Sequence, residues 1–485
     1  MLGMLKVPKN IPMTSDITPP KDVLGYCLII LSSVLLGIWA VKGTIALRNS
    51  LLGIETILST IYCIRFFKAN KQKIPLRNWL PLILLGLMFC WVIFHYFFLS
   101  RFPDQQFHEL TSTWLRSGLA VVVGIGTGLA FQKRPNAINL LWIGILLSFA
   151  YLFYQYIPKA IALNSFFVPL PDNTSYIFYG KISGVLAGTI LIAGLLGTLA
   201  DTVRRGSWLI TISLGLLCLM GLATTLYAFV FIFDTRNGIG LAVILFSALC
   251  LVVLGQALRA FFKGVGSKGA SALLLSLVCA ATVFAWFGIQ HIKHNTGWST
   301  MWEDTKTSAQ VKKYPNWQNP QAMGYPNNAN GQVVKSNTYE RVAWGVAGLQ
   351  IFMPENPLGV GVLKNPFTIL LKEKYPTSGE YIPSTHSAWV ELGLAFGYLG
   401  LLLMLGSVIS TFFLAINSKS QSRVLTGLLS LGLICLYTVG EISSQHSIEI
   451  LCFLVALMTA LLFQGSNLKN IEQNKSIPID STYNL

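Results

Sequence analysis

Long apolar runs alternate with short polar breaks along this chain, and that pattern sets the first expectations. The runs fall at 23–41, 50–67, 79–99, 117–131, 138–157, 182–200, 208–232, 239–262, 270–291, 387–416, 424–440 and 447–464. A helix of about 20 apolar residues crosses roughly 30 Å of hydrocarbon. Helices are the expected form because lipid offers no partner to a free backbone N–H or C=O. The pattern therefore predicts an all-α integral membrane protein with about twelve transmembrane helices. The first run is too long for a signal-peptide core and has no convincing cleavage site, so it reads as an uncleaved span.

One break is far longer than the rest: residues 292–386 separate spans nine and ten. Connections of this length are usually functional or disordered. Its first part, 298–334, is rich in Asn, Gln, Pro, Tyr and Trp and has no clear period, whereas its second part reads as helices. The expected organisation is spans one to nine over 1–291, a loop domain over 292–386 that carries part of any active site, spans ten to twelve over 387–464, and a cytoplasmic tail over 465–485.

Composition sharpens the class. Charged residues make up 11% of the chain, against roughly 25% in soluble domains. The net charge of +16 is spread over the breaks between runs. Counting spans puts Lys68, Lys71, Lys73, Arg77, Lys133, Arg134, Arg204, Arg205, Arg259, Lys263, Lys268, Lys419, Arg423 and Lys469 on one side, with both termini. That side is the cytoplasmic one by the excess of basic residues; the turn 42–49, with Lys42 and Arg48, is the exception. Topology and anionic lipid account for the charge, so membrane lipids are expected partners and nucleic acid is not. The segments 100–116, 158–181, 233–237, 292–386 and 441–446 then face outward. All eight cysteines fall inside apolar runs without a Cys-x-x-Cys pair, which supports neither a disulfide framework nor a cysteine metal site. No His-Glu-x-x-His and no tight carboxylate cluster is present, so no metal and no cofactor is expected.

Three outward residues carry the chemistry. Arg236 sits in Asp234-Thr235-Arg236-Asn237-Gly238, at the start of the eighth span; the plainer reading is an interfacial arginine reaching lipid head groups. Asn337 can cap a helix with Glu340 three residues on, which puts Arg341 in the first turn, at the positive end of the helix dipole. That placement is unfavourable until an anion sits there, and helix N-termini and arginine forks both suit phosphate oxygens. The plainer reading is a solvated arginine or a pair with Glu340. His386 opens the tenth span, with Ser384 or Thr385 as its cap. A helix N-terminus disfavours imidazolium, so the ring is expected neutral and able to take a proton; a capping or interfacial histidine is the plainer reading.

Glu391 lies more than a turn into that span, off the histidine's face, and needs a partner. Glu441 and His446, in the turn 441–446, are supporting candidates, while Arg101, His108, Arg116, Asp172 and Lys181 are outward polar residues with no rank among them. Gly124-Ile125-Gly126-Thr127-Gly128 falls inside a span and reads as close helix packing. Together these parts describe a cationic site at the outer membrane surface. With no nucleotide supply there, an activated sugar would arrive on a lipid. Arginines would hold its diphosphate as charge leaves, and a neutral histidine would deprotonate an acceptor hydroxyl.

At these residues the sequence resembles the O-antigen ligase and O-antigen polymerase superfamily. The resemblance rests on Thr235-Arg236 before an apolar helix, on Glu340-Arg341 through Trp344 to Pro357-Leu358-Gly359-Val360-Gly361, and on His386-Ser387 followed by Glu391, Gly393, Gly397 and Gly400. A weaker likeness extends to Tyr179-Gly180 through Gly188 and to Glu441. The resemblance implies a metal-independent, inverting glycosyltransferase of a bacterial inner membrane. It would move a glycan from undecaprenyl diphosphate to an acceptor at the periplasmic face, with Arg236 and Arg341 on the diphosphate and His386 as base. Ser387 stands where the family usually has asparagine, which bears on fine geometry and the acceptor more than on the reaction class. Three acceptors are open: a lipid A–core sugar, another lipid-linked glycan as in a polymerase, or a protein hydroxyl as in an O-oligosaccharyltransferase. The late position of the loop favours the lipid A–core ligase. A transporter or flippase would instead show ionisable residues near the bilayer midplane and repeated, interrupted helices.

Overall fold

The structure is a computed structural model, and it describes residues 22–69, 74–168, 177–205, 208–262, 268–379, 384–440 and 445–463. Among the described residues there is no β-strand. The helices used below are, in chain order, α1 (Val23–Ile38), α2 (Ile45–Ala69), α3 (Leu76–Phe98), α4 (Pro103–Lys133), α5 (Pro135–Ala162), α6 (Lys181–Arg205), α7 (Trp208–Tyr227), α8 (Arg236–Phe262), α9 (Lys268–His294), α10 (Met301–Ser308), α11 (Ser336–Ala347), α12 (Pro366–Lys374), α13 (Ala388–Asn417), α14 (Arg423–Val439) and α15 (Gln445–Leu462). Among the described residues eight helices, α2 to α8 and α13, are long and apolar enough to cross a membrane, and α1, α14 and α15 are shorter apolar helices. The chain is a helical membrane protein.

The bundle is held by close helix pairs, of which α15 against α4 is the most extensive. Ile448 through Phe453 and on to Leu462 are almost wholly inaccessible, so α15 is a central post. Glycine makes the approach possible: a Cβ at Gly124 would lie 2.3 Å from the Phe453 carbonyl oxygen, and one at Gly128 2.6 Å from that of Leu457. The packing role expected of this glycine run is what the structure shows.

A second contact positions the loop. Helix α13 breaks at Phe396 and Gly397, where Gly397 has φ +69°. The turn at 357–361 docks into the break and takes over its backbone bonds. Val360 N–H donates to Leu394 O (3.0 Å), Gly361 N–H to Ala395 O (2.7 Å), and Tyr398 N–H to Pro357 O (3.0 Å). The Trp91 indole N–H donates to Phe396 O (2.9 Å). Irregular backbone at membrane depth is tolerable where protein satisfies it in this way. The glycines singled out in sequence at 359, 361 and 397 therefore belong to one joint.

Two expectations need correction. The outward segment 100–116 is not a loop: α4 begins at Pro103 and passes through a π turn at Leu110–Trp114. Two of its polar residues are buried helical side chains, with Gln106 wholly inaccessible and the Glu109 carboxylate accepting from the Leu363 and Lys364 N–H groups (2.8 and 3.0 Å). Likewise the turn 42–49 is cut short by α2, which places Arg48 inside a helix and 5% exposed. There it approaches Glu449 of α15 at 4.0 Å, while Arg116 binds the same carboxylate at 2.6 Å and Trp39 donates to it at 2.9 Å. A polar residue that finds a buried partner leaves the same mark on a hydropathy profile as one in water.

Substituting Gly397 by alanine should destabilise the protein. The left-handed backbone alone costs a Cβ-bearing residue about 1–3 kcal/mol, and that Cβ would lie 2.2 Å from the Pro357 carbonyl oxygen. The thermal unfolding midpoint in detergent should fall by several degrees; an unchanged midpoint would show that the docked turn does not hold the break.

Candidate functional site

Helix α11 organises the site, and its own placement comes from the polar segment before it. Asp304, wholly buried, accepts from the Asn328 amide (2.9 Å), the Thr300 hydroxyl (2.8 Å) and the Lys335 N–H (3.3 Å), which fixes the entry to α11. The Tyr339 hydroxyl donates to Tyr314 O (3.1 Å) and the Trp344 indole to Trp317 O (2.9 Å). The 298–334 segment is thus ordered by side-chain bonds to backbone, and short helices at Met301–Ser308, Pro315–Gln318 and Pro320–Met323 run through it. Asn337 is not the cap: α11 begins at Ser336 with Lys335 at the N-cap and no side-chain cap bond. Arg341 therefore sits in the second turn, beyond the strongest part of the dipole, and Glu340 accepts from the Tyr325 hydroxyl at 2.7 Å.

Each of the three sequence candidates is anchored to α11. Arg236, at the first position of α8, donates to Gly297 O (2.8 Å) and to the Thr338 hydroxyl (3.1 Å). Arg341 donates through Nε to Asn337 Oδ1 (2.6 Å) and through Nη1 to Val439 O (3.5 Å). The His386 ring stacks on Trp344, centroids 5.5 Å apart and planes 19° apart. His386 precedes α13 rather than opening it: it has φ +56°, and Ser387 holds the N-cap position without a side-chain cap bond. Glu391, 3% exposed, reaches back from the first turn of α13 to accept the Thr385 N–H (2.5 Å). The carboxylate that sequence left without a partner fixes the turn that carries the histidine.

Arg236, Arg341 and His386 line one cavity of about 590 Å³. Lys181, at the start of α6, and Lys335 line it too, so among the described residues four permanent cations face a single carboxylate, Asp234. Helices α6, α8 and α11 all begin at its wall, and their N-termini add positive potential. Lattices of this kind suit anions of high charge density. Among the described residues no three His, Cys, Asp or Glu side chains gather as a metal-binding group.

Asp234 has φ +45° and sits between α7 and α8. Its Oδ1 accepts from the Asn295 amide (3.1 Å) and lies 3.3 Å from His291 Nε2, a contact close enough for electrostatics but not aligned as a hydrogen bond. The His291 contact, aided by Asn295 and by Lys181 and opposed by burial, holds this carboxyl below the ordinary range. Sequence reasoning named Asp234 only as part of a turn, left Lys181 unranked and passed over Lys335. Their shared signal was position, each within one or two residues of a helix start.

The remaining candidates fall elsewhere. His446 is buried, stacked on Tyr179 (5.0 Å, 27°) with Nε2 3.3 Å from the Ser183 hydroxyl, and is not among the cavity's lining residues. Glu441 and Asp172 lie outside the described residues. Arg101 pairs with Glu373 at 2.8 Å on the surface, and His108 is exposed on α4. No protein-family model matches the chain, and no curated protein matches it either.

Removing the Glu391 carboxylate as Glu391→Ala leaves the buried Thr385 N–H without its acceptor, which should cost about 1–3 kcal/mol. Glu391→Gln retains a carbonyl acceptor and should recover most of that loss in thermal unfolding. An equal loss in both variants would show that charge, not the hydrogen bond, is what the turn requires.

Proposed function

We propose that this protein is a glycosyltransferase resembling the O-antigen ligases, which moves a glycan from undecaprenyl diphosphate to a lipid A–core sugar at the periplasmic face of a bacterial inner membrane. The observation that carries the reading is the convergence of Arg236, Arg341 and His386 on one cavity, each tied to α11. Its volume, about 590 Å³, lies within the 300–1,000 Å³ typical of ligand sites. In this reading the apolar helices make twelve spans, with the loop between spans nine and ten on the outer side.

The chemistry follows from the side chains. The acceptor oxygen attacks the anomeric carbon from the face opposite the diphosphate, so the new C–O bond forms as the bond to the phosphate oxygen breaks and the centre inverts. The electron pair of the broken bond goes to the diphosphate, where Arg236 and Arg341 stabilise the charge that develops. The hydroxyl proton passes to His386, whose ring plane Trp344 fixes and whose backbone the Glu391 bond holds. Protein cations meet the leaving charge in this scheme, and no metal or cofactor enters it.

Arg236→Ala, Arg341→Ala and His386→Ala should each lower transfer by about 10²-fold or more, with unchanged elution as a folded protein. The assay offers purified protein an undecaprenyl-diphosphate glycan with lipid A–core, with a hydroxyl-bearing peptide, or with no separate acceptor, in chelator. Transfer to the peptide, or chain growth without an added acceptor, would reassign the acceptor within the same reaction class. Full activity in the alanine variants would overturn the reading itself.

A further inference from the structure

Asp234 is out of keeping with the rest of the cavity. It is the one carboxylate among the described residues that line it, and it lies two positions before Arg236 on the same turn. A negative charge within a few ångströms of a phosphate repels it strongly at the dielectric of a protein surface. It is therefore a poor choice for holding a diphosphate, and its presence needs another reason.

The surroundings show that its position is built. His291 is wholly buried, and its Nδ1 accepts from the Trp298 indole N–H at 2.9 Å. The ring proton therefore sits on Nε2, the nitrogen 3.3 Å from Asp234 Oδ1. Asn295 is fixed in the same sense: its Oδ1 accepts the Gly297 N–H (3.1 Å), which leaves its NH2 to donate to Asp234 Oδ1 (3.1 Å). Both contacts are to Oδ1, and about a third of the Asp234 side chain is exposed, so Oδ2 is the oxygen left to face the cavity. The left-handed backbone at φ +45° adds strain, of the sort that persists where the surrounding structure over-determines it.

We propose that Asp234 binds a hydroxyl group of the acceptor sugar, with His291, Asn295 and Trp298 as the residues that position its carboxylate. The inference rests on the glycosyl-transfer reading above and adds the acceptor side of the cavity to it. A cavity walled by guanidinium and ammonium groups and helix N-termini is supplied with donors. A sugar alcohol also needs an acceptor for its own hydrogen, and an ionised one makes the stronger bond. The competing role for Asp234 is to hold Arg236 and Lys181 in place for an anion, and under that role its loss weakens the binding of an anion probe.

The test measures binding of two probes to the full-length protein in detergent: inorganic pyrophosphate, and the core oligosaccharide released from lipid A–core. Asp234→Asn should weaken oligosaccharide binding by about tenfold or more, the loss expected for one charge-assisted hydrogen bond, and leave pyrophosphate binding unchanged or tighter. Trp298→Phe, which removes the N–H that sets the His291 tautomer while keeping an aromatic ring, should weaken oligosaccharide binding by a few-fold. Oligosaccharide affinity unchanged in Asp234→Asn, or wild-type protein that binds pyrophosphate but not the oligosaccharide, overturns the proposal while leaving the donor site intact. Weaker pyrophosphate binding in Asp234→Asn assigns the role of positioning the cations and overturns it as well. Wild-type protein that binds no pyrophosphate, with no effect of Arg236→Ala, removes the glycosyl-transfer reading and this inference together. Should Asp234→Asn fail to fold, Trp298→Phe decides alone: unchanged oligosaccharide affinity overturns the proposal.

Discussion

Thr338, Arg341 and Trp344 lie three residues apart on α11, so they emerge as an oblique stripe along one side of a twelve-residue helix. Each holds a different part of the cavity: Thr338 the guanidinium of Arg236, Arg341 its own charge, Trp344 the ring of His386. The helix cannot slide without moving all three, because Tyr339 and Trp344 are bonded to the backbone of the preceding segment and Lys335 to buried Asp304. Close approach just past its C-terminal end completes the fit: a Cβ at Gly348 would lie 2.5 Å from Val390 on α13. Geometry at the site thus reduces to where one short helix is seated.

The electrostatic arrangement follows from that seating. Four cations and three helix N-termini around one cavity repel one another, and the fold answers part of this with carbonyls rather than with acids. Gly297 O accepts a hydrogen bond from Arg236, and Val439 O, at the negative end of α14, accepts one each from Arg341 and Asn237. Carbonyl partners orient a guanidinium without cancelling its charge, whereas carboxylate partners would neutralise it. Arg101, paired to Glu373 on the surface, and Arg116, paired to Glu449 inside the bundle, contrast with Arg236, whose guanidinium donates to a carbonyl and a hydroxyl.

What the sequence made legible was whatever repeats or stands out against lipid. Apolar runs marked the helices, and ionic residues close to helix starts marked Arg236, Arg341 and His386. It failed where polar residues are buried and satisfied. Glu55, wholly inaccessible midway along α2, accepts from the Ser32 hydroxyl at 2.7 Å, and that hydroxyl meets Thr127 at 2.7 Å. Nothing in a one-dimensional pattern distinguishes such a group from a chance polar residue in a span. The cap of α11 was misread for a related reason: Asn337 has the right chemistry for a cap, but its oxygen is taken by Arg341. Competition between local bonds is decided by tertiary neighbours that spacing does not reveal.

The joint at Gly397 and the turn carrying His386 sit at two ends of the same helical segment, and this links stability to chemistry. Residues 388–396 form a buried stub between the break and the histidine, held on one side by the docked turn at 357–361 and on the other by Ala388 N–H donating to Gly440 O (2.8 Å). A continuous helix would need no docked turn, and the turn would lose its partners at Leu394, Ala395 and Tyr398. Breaking the helix therefore ties the loop to the membrane bundle through backbone bonds that no side-chain change removes. The segment that carries His386 is anchored at the break, at α14 and through Glu391, so the imidazole meets α11 as part of a rigid body and not as the tip of a loop.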